Sequence, residues 1–512
     1  MKPRAPLTVT AFAILAACSG VNVKLGATHQ SEGAMGGAGA NAAGGSATAT
    51  AGAGSFTLID ASADPVPCPA DSPTTISGKV WDPAGNVPLY NAVVFIPDPA
   101  VGLTPFPTKV ACETCDSPVP ALDIALSDSS GAFMLKDAVP NTPTVDVVVQ
   151  LGKWRMQNTV AINPCHSNPI PDKTLHLPRN HVEGDLPKIA LSTGHSDALE
   201  CLLLKIGVDL SEFTTDQGDG RVNMFVGCQG DQTDQHTGAS QFIDGTQFPS
   251  TNQLFDTAGE LDNYDVVIFS CEGHKCTDTQ PNGVAAIQSP AHVAQLVDFA
   301  DRGGRVYLDH DHYNWLNHAG DVPNATPADK AMESAAQFSS SPDDIPSPLT
   351  AQINVTDFPK GQDFAKWLVD PNVNASVTYG SLNIYSPKTS VESLSANRAQ
   401  SWIYRDPSQP YPDFFYFTIG TPVAIQDTDP PPTACGRIVF TDLHVSKSGG
   451  GCDPTATTCG ESDDVSDQAK PFPLGCTTGS LLPQEKALEF MIFDLTSCVQ
   501  KETSPPMIPP VK

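Results

Sequence analysis

Four short stretches hold most of the chemistry this chain could do: Thr193-Gly-His195-Ser-Asp197, Cys271-Glu272-Gly-His274, Asp309-His310-Asp311-His312 and Asp442-Leu-His444. Imidazoles beside carboxylates either ligate a borderline metal such as zinc or move protons as general acids and bases. Side chains alternate along a strand. If the strand before Asp309 continues, His310 and His312 therefore face one side, with Asp309 and Asp311 opposite. Two histidines on one side, joined by His444 or a carboxylate from a neighbouring strand, would suit a divalent metal. No HExxH or comparably specific motif accompanies them. A polar ligand pocket without metal, and a purely structural polar rim, stand beside the metal reading. The candidate rim is His195, Glu272, His310, His312 and His444; no catalytic residue is assigned, and a divalent metal is the one cofactor considered.

Each stretch follows an apolar run that reads as a strand. Lys188 to Ser192 is the first, followed by Leu199, Leu202, Leu203 and Ile206 at the spacing of one buried helical face, with Gly207 as the stop. Arg221 to Val226 is another strand. Tyr264 to Ser270 is continuously apolar, as in a strand buried on both faces of a parallel sheet. A helix from Ala291 to Arg302 opens after Pro290, presents Val293, Leu296, Val297 and Ala300, and ends at Gly303-Gly304. The strand Arg305 to Leu308 follows. Residues 318–432 read as a β-rich insertion with one short helix around Asp363 to Leu368. Gly436 to Thr441 returns as a strand, and Gln484 to Ser497 closes as a helix with Leu488, Met491, Ile492 and Leu495 on one face. Alternating strands and helices imply a three-layer, flavodoxin-like α/β domain over residues 187–498. In such sheets ligands bind outside the carboxyl ends of the strands, where all four stretches fall.

Ahead of this domain lies a β-rich region, residues 71–162. Its runs are Ile76 to Trp81, Ala92 to Ile96, Leu122 to Leu126, Ala132 to Leu135 and Val145 to Leu151, separated by turns such as Asp82-Pro-Ala-Gly85 and Asp128-Ser-Ser-Gly131. This predicts a small antiparallel β-sandwich, with residues 163–186 as a Pro-rich connector. The phrase ISGKVWDPAGNVPLYNAVVFI followed by SDSSGAFML resembles the carboxypeptidase regulatory-like, transthyretin-like domain. The resemblance implies a non-catalytic module of a kind that binds carbohydrate or packs on its neighbour.

Composition bounds the compartment and partners. The 512 residues include 57 acids against 28 bases, a formal charge of −29 that argues against nucleic-acid binding. Lys2 and Arg4 precede an apolar run, Leu7 to Leu15, too short to span a bilayer as a stable helix. The following Leu15-Ala16-Ala17-Cys18 resembles a bacterial lipobox, which implies cleavage before Cys18, acylation of its thiol and, with Ser19 next, an exported protein anchored in the outer membrane. Residues 19–70, nearly all Gly, Ala, Ser and Thr between Gly26 and Gly54, read as a tether, and residues 499–512 as a Pro-rich tail. Fourteen cysteines suit an oxidising compartment. With Cys18 set aside, Cys68, Cys112, Cys115 and Cys165 are expected to pair among themselves, Cys112-Glu-Thr-Cys115 serving as structural partners. The other nine are odd in number, so at least one thiol stays free or pairs between molecules. Cys276 makes a disulfide the expected state of Cys271. Cys201 and Cys498 should not pair, being separated by roughly four helical turns, on the order of 20 Å at 1.5 Å per residue.

The stretches YDVVIFSCEG, LVDFADRGGRVYLDHDH and GRIVFTDLHV resemble the class I glutamine amidotransferase-like fold of trehalose-utilisation type. Together with GKWRMQ, LPRNHVEGDLPKIALSTGHSDALECLLLKIG and LPQEKALEFMIFDL, they also resemble a family of Gram-negative secreted lipoproteins. Amidotransferases place a nucleophilic Cys in a G-x-C-x-G elbow and activate it through H-x-E. Here the comparable elbow reads Asp309-His310, and two residues beyond His444 stands Ser446, so glutaminase chemistry is not expected. The sequence favours a tethered binding or structural module of the envelope, contacting glycan or protein. The alternative is an exported hydrolase, metal-dependent or not, acting on a sugar-like or amide substrate.

Overall fold

Short runs of alternating apolar residues make eight strands before residue 177: β1 (Thr75–Trp81), β2 (Val93–Pro97), β3 (Ala121–Leu126), β4 (Ala132–Leu135), β5 (Thr144–Leu151), β6 (Trp154–Ala161), β7 (Ser167–Pro169) and β8 (Leu175–His176). One sheet runs β3-β2-β5-β6, antiparallel throughout; in the other, β1 pairs with β4, β7 and β8. Ile76, Val80 and Leu135 from one sheet share a core with Val94, Ile96, Val147 and Val149 from the other. The expected connector is itself part of this assembly, because β7 and β8 add to β1 in parallel. Leu175 and Leu177 are fully buried at alternate positions, and Asn168 Nδ2 donates to the Thr75 carbonyl at 3.1 Å. These contacts hold a Pro-rich segment in register where its composition alone suggested a free linker.

The computed structural model describes residues 67–227, 238–273, 287–338, 348–385, 387–406, 414–423, 434–445, 470–476 and 479–512. All of them belong to one compact unit. Cys18, the tether up to residue 66, His274, Cys276 and Ser446 lie outside the described residues.

The remaining elements, in chain order, are β9 (Ile189–Thr193), α1 (Leu199–Lys205), β10 (Phe213–Thr214), β11 (Val222–Val226), α2 (Gln253–Asp256), β12 (Val266–Phe269), α3 (Pro290–Asp301), β13 (Arg305–Asp309), α4 (Asn314–Asn317), α5 (Pro327–Glu333), β14 (Ala336–Phe338), β15 (Leu349–Ile353), α6 (Pro359–Leu368), β16 (Ser381–Ile384), β17 (Val391–Leu394), β18 (Gln400–Tyr404), β19 (Phe414–Thr421), β20 (Gly436–Thr441) and α7 (Pro483–Thr496). A ten-stranded sheet has the order β10-β11-β9-β12-β13-β20-β19-β18-β15-β16. Neighbours are parallel from β10 to β20 and antiparallel beyond it. The chain is therefore a mixed α/β protein with several sheets.

Period-two alternation divides the central strands between two cores. Leu191, Ile268, Tyr307 and Val439 pack with Leu202 and Leu203 of α1 and Leu488 and Met491 of α7. Ala190, Val267, Phe269, Val306, Leu308 and Phe440 pack with Val293, Leu296 and Val297 of α3 on the opposite face. Helix α3 starts as its sequence dictates, with Ser289 accepting from the His292 backbone N–H and Pro290 in the first turn. The insertion contains a helix beyond the one expected. In α5, Thr326 and Asp329 form a reciprocal capping box, a signal present in Thr326-Pro-Ala-Asp329 but outweighed by the β-rich surroundings.

Four disulfides join the described cysteines: Cys68–Cys165, Cys112–Cys435, Cys115–Cys498 and Cys201–Cys476. The expected closed set of four is thereby overturned, while Cys201 and Cys498 do fall in separate bridges. The loop between β2 and β3 crosses to the amino ends of the parallel strands. There Val110 N–H donates to Asp262 O and Cys115 N–H to Val499 O. Gly303 accepts this approach because it has φ +117° and a Cβ would stand 2.2 Å from Ala111 O. The same two regions meet elsewhere: Trp367 Nε1 donates to Pro88 O at 2.7 Å, Tyr90 Oη donates to Asp363 at 2.9 Å, and the Tyr90 and Phe490 rings stack.

Candidate functional site

β9, β12, β13 and β20 are consecutive parallel neighbours, so their carboxyl ends stand side by side on one rim. Backbone contacts lock the first two ends together. The Cys271 carbonyl accepts from Ser196 N–H at 2.9 Å and from Asp197 N–H at 3.2 Å. Gly194 permits this, since a Cβ there would lie 2.2 Å from Cys271 O. Strand β13 ends at Asp309, and the chain turns at once into a 3-10 turn, His310–Tyr313. His310 makes the turn with φ +32°, a left-handed conformation rare outside glycine that costs of order 1–3 kcal/mol and concentrates at functional sites.

That turn decides which histidines meet. His310 swings towards β12 and β20: its Nδ1 lies 3.6 Å from Cys271 Sγ, and its ring centroid is 5.4 Å from that of His444. One ligating atom each from Cys271, His310 and His444 fall within 4.8 Å of one another, and all three residues are buried. His444 is oriented from β9's end, its Nδ1 lying 2.7 Å from Asp197 Oδ2. Asp442 is held by Ser390, whose N–H and Oγ–H donate to its carboxylate at 2.8–2.9 Å.

His312 does not join them. The same-side expectation for His310 and His312 assumed a continuing strand; a turn of roughly three residues per winding sends them apart. His312 instead sits among Phe269 and Trp315 on the α3 face. Its Nε2–H donates to Ser270 O at 2.9 Å, and its Nδ1 accepts from Gln288 Nε2 at 3.0 Å and Trp315 Nε1 at 3.3 Å. Glu272 is buried beside Gly227 at the end of β11, where a Cβ on that glycine would meet Glu272 Oε1 at 1.7 Å. His195 is buried near Gly273 and is not among the three converging ligand atoms. The rim thus gathers His310 and His444, holds His195 and Glu272 towards its β9–β11 side, and excludes His312.

The residue missing from the sequence-based set is Cys271. It was expected in a disulfide, yet it is free and fully buried. The odd cysteine count was the signal that one thiol had to remain unpaired. Asp197 and Asp309 also gain importance from packing.

The electrostatics are those of acids crowded out of water. Burial, and then the neighbouring Asp197 carboxyl, hold Asp309 far above the usual carboxylate range. Burial with Asp311, Asp309 and Asp197 pushes the Cys271 thiol up. Burial pulls His310 below its ordinary value, while Asp442 rises to about 6, again chiefly by burial. Burying several carboxyls in one place costs a fold free energy even when each has a partner, and such groupings recur at functional sites.

No protein-family model matches the chain, and no curated protein does. Among solved structures, a type II cohesin–X-dockerin complex from Acetivibrio cellulolyticus aligns with 27% of this chain and 85% of its own, at 18% identity and a TM-score of 0.15. That score carries no argument about fold or function.

Proposed function

We propose that the protein is an exported envelope hydrolase, anchored through Cys18, whose reactive centre is the Cys271–His310–His444 group backed by Asp197. The observation that carries this reading is the convergence of those three side chains within 4.8 Å, with Asp197 holding His444. The sequence favoured a binding module because no catalytic group could be assembled from it; the convergence of Cys271, His310 and His444 supports the hydrolase alternative instead. The fold we assign is a carboxypeptidase regulatory-like sandwich followed by an amidotransferase-like, flavodoxin-type α/β domain with a β-rich insertion. Glutamine is not the substrate proposed, because in the resemblance to amidotransferases the elbow that would carry cysteine reads Asp309-His310. The substrate class is a sugar-like or amide compound of the envelope, brought near by the sandwich. No helix among the described residues is long and apolar enough to cross a membrane.

The test is hydrolysis of a panel of amide, ester and glycoside substrates by the exported protein. His444→Ala should reduce any turnover found by about 10²–10⁴-fold, the range for removing a positioned acid–base or ligand group. Tight glycan binding with no turnover of any substrate would return the protein to the binding class.

A further inference from the structure

We propose that Cys271, His310 and His444 bind a zinc-class divalent cation, leaving one coordination position for water. This rests on the hydrolase reading for its purpose, though not for its geometry. The 4.8 Å spread of the three ligand atoms is too small to admit a substrate between them, yet it suits an ion. Sulfur at about 2.3 Å and nitrogen at about 2.0–2.1 Å from a tetrahedral zinc stand about 3.3–3.6 Å apart. The Cys271 Sγ to His310 Nδ1 distance is 3.6 Å. Asp197 on His444 Nδ1 is the carboxylate–histidine pairing that fixes a ligating ring, with Nε2 as the other ligating nitrogen.

Two further observations point the same way. Eight described cysteines are in disulfides, and Cys271 alone among the described residues is a free thiol. In a chain that has formed four disulfides, ligation protects such a thiol from pairing. Asp311 Oδ2 lies 3.5 Å from His310 Nδ1 and 3.9 Å from Cys271 Sγ, and Asp197 Oδ2 lies 2.7 Å from His444 Nδ1, so carboxyl groups stand against all three ligands, as they do around bound cations. One thiolate with two imidazoles selects zinc and similar borderline ions over magnesium or calcium, which prefer oxygen. Three protein ligands and an open position are the pattern of a catalytic rather than structural zinc, whose bound water becomes a nucleophile near neutral pH.

The experiment is elemental analysis of the exported protein purified without chelator, followed by cobalt(II) exchange. Stoichiometric zinc and a thiolate-to-cobalt charge-transfer band are expected. Cys271→Ser should abolish the band and weaken metal affinity about 10–100-fold or more, as should His444→Gln, each checked for folding by near-ultraviolet circular dichroism. His312→Ala should keep the band. A folded wild-type protein that takes up neither zinc nor cobalt, or a Cys271→Ser protein that keeps the band, overturns the site. The two readings separate cleanly. Turnover without metal and insensitive to chelator removes the metal and leaves the hydrolase, whereas stoichiometric metal without turnover supports the metal and removes the hydrolase.

Discussion

At the scale of single residues, two histidines two positions apart have opposite surroundings. His312 makes three hydrogen bonds inside an aromatic cluster, so its loss leaves Ser270 O, Gln288 and Trp315 Nε1 without their partner. His312→Ala should cost about 1–3 kcal/mol or somewhat more in denaturant unfolding, the penalty for orphaned buried polar groups. Turnover at the rim should persist below the new midpoint. His310, at a strained φ and beside Cys271 and His444, should behave in the reverse way, losing function with little loss of stability. Asp197 acts through His444. Asp197→Asn keeps the shape but removes the charge, and should lower turnover about 10–100-fold with the fold intact by circular dichroism. A full-strength Asp197→Asn enzyme would show that the 2.7 Å contact is merely structural.

At the scale of elements, the strands carry their charges asymmetrically. At the amino ends of β13 and β20, buried cations are answered. Arg437 meets Asp494 and Glu502, Lys360 meets the same two acids, and Arg305 donates to the carbonyls of Gly303, Cys435 and Ser497. At the carboxyl ends, acids lie against acids and imidazoles: Asp309 beside Asp197, and Asp197 on His444. The amino-end edge is also where the β2–β3 loop is clamped by Cys112–Cys435 and Cys115–Cys498, which close sequence separations of 323 and 383 residues. Replacing Cys112 and Cys435 together by Ser should therefore cost about 2–5 kcal/mol of stability, mainly by freeing the unfolded chain. Non-reducing peptide mapping should recover the two cross-links between the loop and the distant strand and tail. Recovery of a Cys112–Cys115 pair instead would refute this clamp.

At the scale of the whole molecule, buried acids set the pH response. Asp82 rises to about 6 through burial, and its partner Glu489 on α7 is pushed well above its usual range, by burial and by Asp82. Burial also raises Asp301 to about 6 and Glu200 to about 7. In the unfolded chain these groups ionise near about 4. Their folded values are higher, so the stability they contribute is complete below about 4 and is lost as pH rises through about 6 to 7. Melting temperature should thus fall between pH 5 and 8. Glu489→Gln, which removes the second titrating carboxyl beside Asp82, should flatten that fall; an unchanged slope would mean the pair does not control it.

The sequence by itself determined the order and limits of the first five strands and of the strands and helices that carry the rim. Strand runs such as Gly436–Thr441 and helices such as Pro290–Asp301 and Pro483–Thr496 emerge within a residue or two of their apolar periodicity, because period and caps are local properties. Four polar strand ends were visible for the same reason. Tertiary structure alone decided what those ends do. A single turn at His310 reversed the side to which His312 points, and pairing between strands dozens of residues apart brought Cys271 to His310 and Asp197 to His444. It also decided the disulfides, since cysteines pair by the distance between their Cα atoms, 4.6–5.2 Å here, and not by their spacing along the chain.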